Sequence, residues 1–242
     1  MLSDANPDTG ALLLCRAAPE TVTAAARLLR EPFRCVAAGD GWTALVPGTA
    51  PWGDGGDPVE RVVAGWAGAL AVGGQWAVVA LWWDPDHSGF LLASGFRRPV
   101  GFAWLAAGTP VGEDEAVHTF ALRLGLDPVL DVQALEELAR PDSAADARAR
   151  LIGVVAVLAR TGVVLPPGLA PGAPLAELWA LAARYEVAAT HGWALPVRAL
   201  SMAQLALGVP MTAWGLRTRR GPWVAAGAVL LASGALGLRR TR

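Results

Sequence analysis

The first apolar positions form a short unbroken run, Ala11–Cys15, closed by Arg16, which reads as a buried strand. Pro19-Glu20-Thr21 then opens a helix to about Arg30, with an acid in the turn where the helix dipole favours one. Residues 33–38 and 42–46 predict two strands joined at Gly39-Asp40-Gly41, a hairpin signal. A Pro/Gly-rich loop leads to Pro58 and a helix to roughly Val72, with Val62, Val63, Trp66, Ala69 and Leu70 at helical spacing. Three strands follow, in QWAVVALWW, FLLAS and VGFAWLA, separated by the turns DPDHSG and GFRRP. Glu113-Asp114-Glu115 starts a helix that ends near Gly125, and further helices are expected over about 131–139 and 144–160, broken at Pro141.

The predicted order, β-α-β-β-α-β-β-β-α and then helices, lacks strict β-α-β alternation. It implies an α+β fold: a mixed or antiparallel sheet with helices on one face, over residues 1–165. The stretch 163–178, with four prolines and two glycines, reads as a linker, so 166–192 is assigned to a linker and helix.

The pattern changes over 193–242. Two uncharged runs, Ala199–Leu216 and Gly221–Leu238, are 18 residues each, the lower edge for crossing a hydrocarbon core about 30 Å thick. Arg217, Arg219 and Arg220 separate them, and Arg239, Arg240 and Arg242 close the chain. The second run is apolar on all sides, unlike a surface helix. Its flanking arginines suit headgroups, and Trp214 and Trp223 stand where an interfacial belt would place them. The expectation is one or two transmembrane helices, a hairpin or a single anchor, in contact with membrane lipid. Gln204 and Pro210 in the first run keep open a soluble helical pair that packs on the domain or forms a homo-oligomer. An apolar run ending in basic residues resembles the tail of sortase-anchored wall proteins, but the LPxTG-type motif and a signal peptide are both missing. The acidic, polar start MLSDANPDTG places the domain on the cytoplasmic side of a cell membrane, or in the cytoplasm if the tail is soluble.

Composition narrows the chemistry. The chain has 242 residues, 54% hydrophobic and 17% charged, with a net charge of −1, so no global field attracts nucleic acid. All 20 of its Lys+Arg residues are arginine. That excludes the P-loop lysine, a pyridoxal Schiff base and lysine-tethered biotin or lipoyl groups, and no cofactor is expected. A GC-rich coding bias accounts for the missing lysine. The two cysteines, Cys15 and Cys35, lie in apolar contexts and read as small buried hydrophobes, with a disulfide between them left open although nothing suggests an oxidising compartment.

Asp84, Asp86 and His87 have the donor types of a divalent-metal site. They also sit among turn formers between two apolar strands, where a turn is the simpler reading. His118 reads as a surface or partly buried residue, His191 as a loop residue, and Glu136-Glu137 as a solvated helix face. The segment GDGGDP (53–58) lacks the Lys-Ser/Thr of a phosphate loop, and its acids repel phosphate. Of the eleven tryptophans, alternation puts Trp76 and Trp82 on one face of their strand and Trp83 on the other. Core packing is the first reading of them. An exposed Trp83, rimmed by Arg97 and Arg98, would mark a partner surface. The expected function is a membrane-attached protein whose cytosolic α+β domain serves protein interaction or scaffolding. The alternatives are an enzyme or ligand-binding domain with a site of scattered Asp, Glu, His and Arg, and a soluble oligomer joined through its terminal helices.

Overall fold

In the computed structural model, residues 8–53, 56–142 and 144–186 are described. The chain divides into two units, Met1–Ala189 and Thr190–Arg242, and every described residue belongs to the first. The membrane expectation, with Trp214, Arg217, Arg219, Arg220, Trp223, Arg239 and Arg240, lies outside the described residues. Among the described residues no helix is long and apolar enough to cross a membrane.

The elements run β1 (Gly10–Cys15), α1 (Pro19–Ala26), β2 (Phe33–Ala37), β3 (Thr43–Pro47), α2 (Val59–Gly74), β4 (Ala77–Trp83), β5 (His87–Ser94), β6 (Val100–Leu105), β7 (Pro110–Val111), α3 (Asp114–Leu124), α4 (Leu130–Ala139), α5 (Ala147–Leu158) and α6 (Leu175–Tyr185). The seven strands form one sheet in the order β2-β3-β1-β4-β5-β6-β7, and every neighbouring pair is antiparallel. The first six elements therefore build two interlocked split β-α-β units. β3 lies between the parallel pair β1 and β2, and β1 lies between the parallel pair β3 and β4. This is the ferredoxin-like order, extended on one side by the meander β5-β6-β7.

An antiparallel α+β sheet is as expected, but helices cover both of its faces rather than one. Leu13, Cys15, Leu45, Val78, Ala80 and Trp82 pack with Val22 of α1 and Val63 and Trp66 of α2 in one core. Leu12, Leu14, Val79, Leu81, Trp83 and Phe90 point the other way, into a larger core closed by α3, α4, α5 and α6. The cause is the composition of the central strands. Every position of β1 and β3 is buried, and a strand apolar at successive positions needs cover on both sides.

The adjacent Trp82 and Trp83 make the sharpest demand, since one bulky ring enters each core. Each ring faces a glycine on the neighbouring strand: Trp83 pairs with Gly10 and Trp82 with Gly89. A Cβ at Gly10 would stand 2.7 Å from the Trp83 ring, and one at Gly89 would stand 2.8 Å from Trp82 and 2.6 Å from the Phe102 carbonyl oxygen. β3 separates Cys15 from Cys35: Cys15 stands opposite Thr43 and Cys35 opposite Leu45, so their Cα atoms are more than about 9.5 Å apart, two strand spacings plus an offset along the strands. That is beyond disulfide reach, and both are free and buried.

The Pro/Gly-rich stretch after α5 packs on this domain. Gly39 bridges to Val163, the Val164 N–H donates to the Ala38 carbonyl at 2.8 Å, and Leu169, Leu175, Leu178 and Ala182 are buried in the larger core. Trp179 of α6 lies against Gly48, with the Arg34 guanidinium 4.1 Å from its ring centroid.

Gly89→Ala is expected to destabilise the domain by about 2 kcal/mol, because backbone and ring both resist the added methyl. Gly65→Ala, on α2 with nothing within 4 Å of its Cβ, should stabilise it by about 0.5–1 kcal/mol. Urea unfolding midpoints of the two variants against wild type check both signs.

Candidate interaction surface

The sequence-derived candidates separate once placed. Asp84 closes a turn: its Oδ1 accepts the N–H groups of Asp86 at 2.8 Å and His87 at 2.7 Å, and its own N–H donates to the His87 carbonyl at 2.8 Å. His87 Nδ1 stands 3.7 Å from the same carboxylate oxygen. Among the described residues no group of three or more His, Cys, Asp or Glu side chains is placed to hold a metal ion. Trp83 is 4% exposed and belongs to the core, so it presents no partner surface. Nor do Arg97 and Arg98 rim it. Trp83 pairs with Ser88, whereas the turn carrying the arginines follows Ser94, which pairs with Ala77 at the other end of β4.

That other end of the sheet gathers a different set of residues. β1 finishes there at Cys15, and the N–H of the next residue, Arg16, donates to the Ala77 carbonyl at 2.9 Å. The β5–β6 turn, the tip of the β2–β3 hairpin and the last turns of α3 and α5 meet at the same end. An open cavity of about 480 Å³ is lined by Arg16, Leu126, Asp127, Leu130, Asp131 and Arg160, among others. Arg16 donates to the Leu124 carbonyl at 3.3 Å, and its guanidinium lies 6.0 Å from the Trp42 ring centroid.

The acids of this cavity are committed to the fold. Asp131, only 3% exposed, is ion-paired and hydrogen-bonded to Arg160 and accepts the Asp127 N–H at 2.8 Å. Asp127 in turn accepts the N–H groups of Leu130 at 2.7 Å and Val129 at 2.8 Å, satisfying donors at the start of α4. These two bonds, Leu130's first, hold the Asp127 carboxyl below the usual carboxylate range.

Beside the exposed carboxylates of Asp127 and Asp40, apolar and basic side chains face solvent here. Phe96 is 89% exposed and Leu122 is 82% exposed, and Val129 and Leu130 are also exposed. Arg97 and Arg98 are exposed on the turn. Arg123, beside Leu122, donates to the Arg98 carbonyl at 2.7 Å, which ties the end of α3 to that turn. The reading of Arg97 and Arg98 as surface residues thus gains neighbours that sequence alone did not supply, because Leu122 and Arg123 come from another element.

A second pairing also escapes sequence reasoning. His118 Nε2 lies 3.2 Å from Glu136 Oε1, beside a cavity of about 230 Å³ that includes Asp114 and Arg140. Asp114 with His118, and Glu136 with Arg140, are each spaced four residues apart. Each pair therefore shares a helix face, but only tertiary packing of α3 on α4 brings the two faces together. Comparison with protein-family models, with curated proteins and with solved structures finds no match to the chain.

Removing one partner of the Asp131–Arg160 pair leaves the other uncompensated. Arg160→Ala is expected to cost about 2 kcal/mol, and the double variant Asp131→Asn/Arg160→Ala less than the sum of the single changes, in a urea-denaturation cycle. For Asp127 the folded-state pKa is depressed, so its stabilising contribution is present above the unfolded value of about 3.9 and is lost as pH falls through the lower folded value. The stability difference between wild type and Asp127→Asn should therefore shrink between about pH 5 and pH 2, as followed by thermal unfolding at each pH.

Proposed function

We propose that the chain is a membrane-attached protein whose α+β domain serves protein interaction or scaffolding through the end of the sheet that carries Arg16, Leu122 and Leu130. The observation that carries this reading is the division of labour at that end. Asp131 is buried in an ion pair and Asp127 caps the start of α4 with one carboxylate oxygen, while large apolar side chains stand in water at the same end. Exposed apolar side chains grouped with arginine make the kind of surface that partners cover. Membrane attachment is supported by the two uncharged runs in 193–242 and the arginines bracketing them.

Two measurements test the two halves separately. The full chain is expected in the membrane pellet after high-salt and alkaline-carbonate washing, and a truncation ending at His191 in the soluble fraction. A full chain released by carbonate would remove the anchor. For the interaction half, a photocrosslinking amino acid at Leu130 in the full chain should give one discrete protein adduct. The same probe at Leu28, which is 81% exposed near the opposite end of the sheet, should give none. Equal, diffuse labelling from both positions would sink the interaction surface.

A further inference from the structure

We propose that the β5–β6 turn Gly95–Pro99, together with the last turn of α3, docks the domain onto an anionic lipid surface. This inference rests on the membrane-attached reading above and names the partner of one part of that surface.

The turn is built to enter an interface. Phe96 projects from a tight connection with Gly95 at φ +54° and the Arg97 N–H hydrogen-bonded to the Ser94 carbonyl. At 89% exposure Phe96 is the most exposed large apolar side chain among the described residues, and Leu122 follows at 82%. Water around either ring or isobutyl group is unfavourable, and no fold requirement explains the exposure, since the sheet beneath is already fully packed. Aromatic and leucine side chains flanked by arginine match the layered chemistry of a bilayer boundary, apolar below and phosphate above.

Charge supports the same occupant. Arg97, Arg98 and Arg123 cluster at this point, held together by the Arg123 bond to the Arg98 carbonyl. No acid lies on the turn, and the acids of α3, Asp114 and Glu115, occupy its first turn, about 10 Å along the helix from Leu122. Each arginine brought against an anionic leaflet raises occupancy about fivefold. A chain that carries its own anchor meets the bilayer intramolecularly, so even a contact too weak to recruit a free domain is occupied. The uncharged runs at 199–216 and 221–238, read as the anchor, would bring this turn to a bilayer in the same molecule.

The test uses the full chain reconstituted into phosphatidylcholine vesicles with and without phosphatidylglycerol. Phe96→Cys carries an environment-sensitive nitrobenzoxadiazole dye, and Leu28→Cys carries it as the control. Cys15 and Cys35 are buried and remain unlabelled in the folded protein. On vesicles containing phosphatidylglycerol the dye at 96 is expected to shift to the blue and to be quenched by nitroxide-bearing lipid, while the dye at 28 is not. Adding R97E/R98E to the 96-labelled chain should lower the docked-to-undocked ratio at least about 25-fold, about fivefold for each arginine removed.

Three outcomes overturn the proposal. If the chain floats with the vesicles but the dye at 96 stays as wet as the dye at 28, the turn does not dock and the anchor reading survives. If shielding at 96 grows with protein density and ignores both lipid charge and nitroxide, a second copy of the chain covers the turn. If the chain does not float with vesicles after an alkaline-carbonate wash, the anchor reading falls, and the docking proposal falls with it.

Discussion

Everything in this domain follows from two tryptophans side by side on a central strand. Trp82 and Trp83 must point to opposite faces of the sheet, and neither face can then be left to water. The cross-strand glycines Gly10 and Gly89 leave the room into which the rings fit. In a ferredoxin-like β-α-β-β-α-β core, α1 and α2 cover one face and the other stays open. Here the open face receives Trp83, Phe90, Phe102 and Trp104, so the chain spends residues 114–185 on four more helices to close it. The four later helices thus supply the cover that this second face requires.

Closing that face with short helices creates many helix ends, and the arginines deal with them. Arg150 is 1% exposed, and its guanidinium donates to the carbonyls of Leu138, Asp142 and Ala145, clamping the connection between α4 and α5. The Leu138 carbonyl also accepts from Trp104 Nε1 at 2.9 Å. Arg34 bonds the Trp179 carbonyl, stacks on its ring and reaches Glu186 at 3.4 Å, so one side chain fastens α6 to the edge strand. A planar fork with five donors can serve several carbonyls at once, where an ammonium on a flexible stem holds one geometry less firmly. A composition that excludes lysine, whatever its origin, therefore suits a fold with many carbonyl ends to satisfy.

Much of this was legible from pattern, and the rest was illegible for physical reasons. Helix limits such as Asp114–Leu124 against the expected 113–125 follow from capping chemistry, which is local. The alternation that separates Trp82 from Trp83 is local as well. The second layer of helices was signalled by uninterrupted apolar runs in β1 and β4, but an apolar run does not say which later helix covers it. Prolines and glycines at 163–174 look like a tether because their effect on the backbone is the same in a tether and in a packed crossing; only Leu169 and Ala173 in the core distinguish the two. The surface of Phe96, Leu122 and three arginines joins segments 25 residues apart, and no spacing rule reports such a meeting.

Once both faces of a sheet are covered, its ends and edges are where side chains remain available. The β2 edge is met by α6 and by the bridge from Val36 to Glu186, and β7 pairs with the last part of β6. The loops at the ends of the strands are therefore the natural place for recognition. At the end where β4 begins, two of the local acids already have structural tasks. Asp131 holds Arg160, and Asp127 holds the start of α4. Arg97 and Arg98 face solvent beside Phe96, on a turn that carries no acid. A surface that is both basic and apolar is thus the residue of the packing problem that Trp82 and Trp83 impose, and it gives the domain a chemistry suited to an anionic, partly apolar partner.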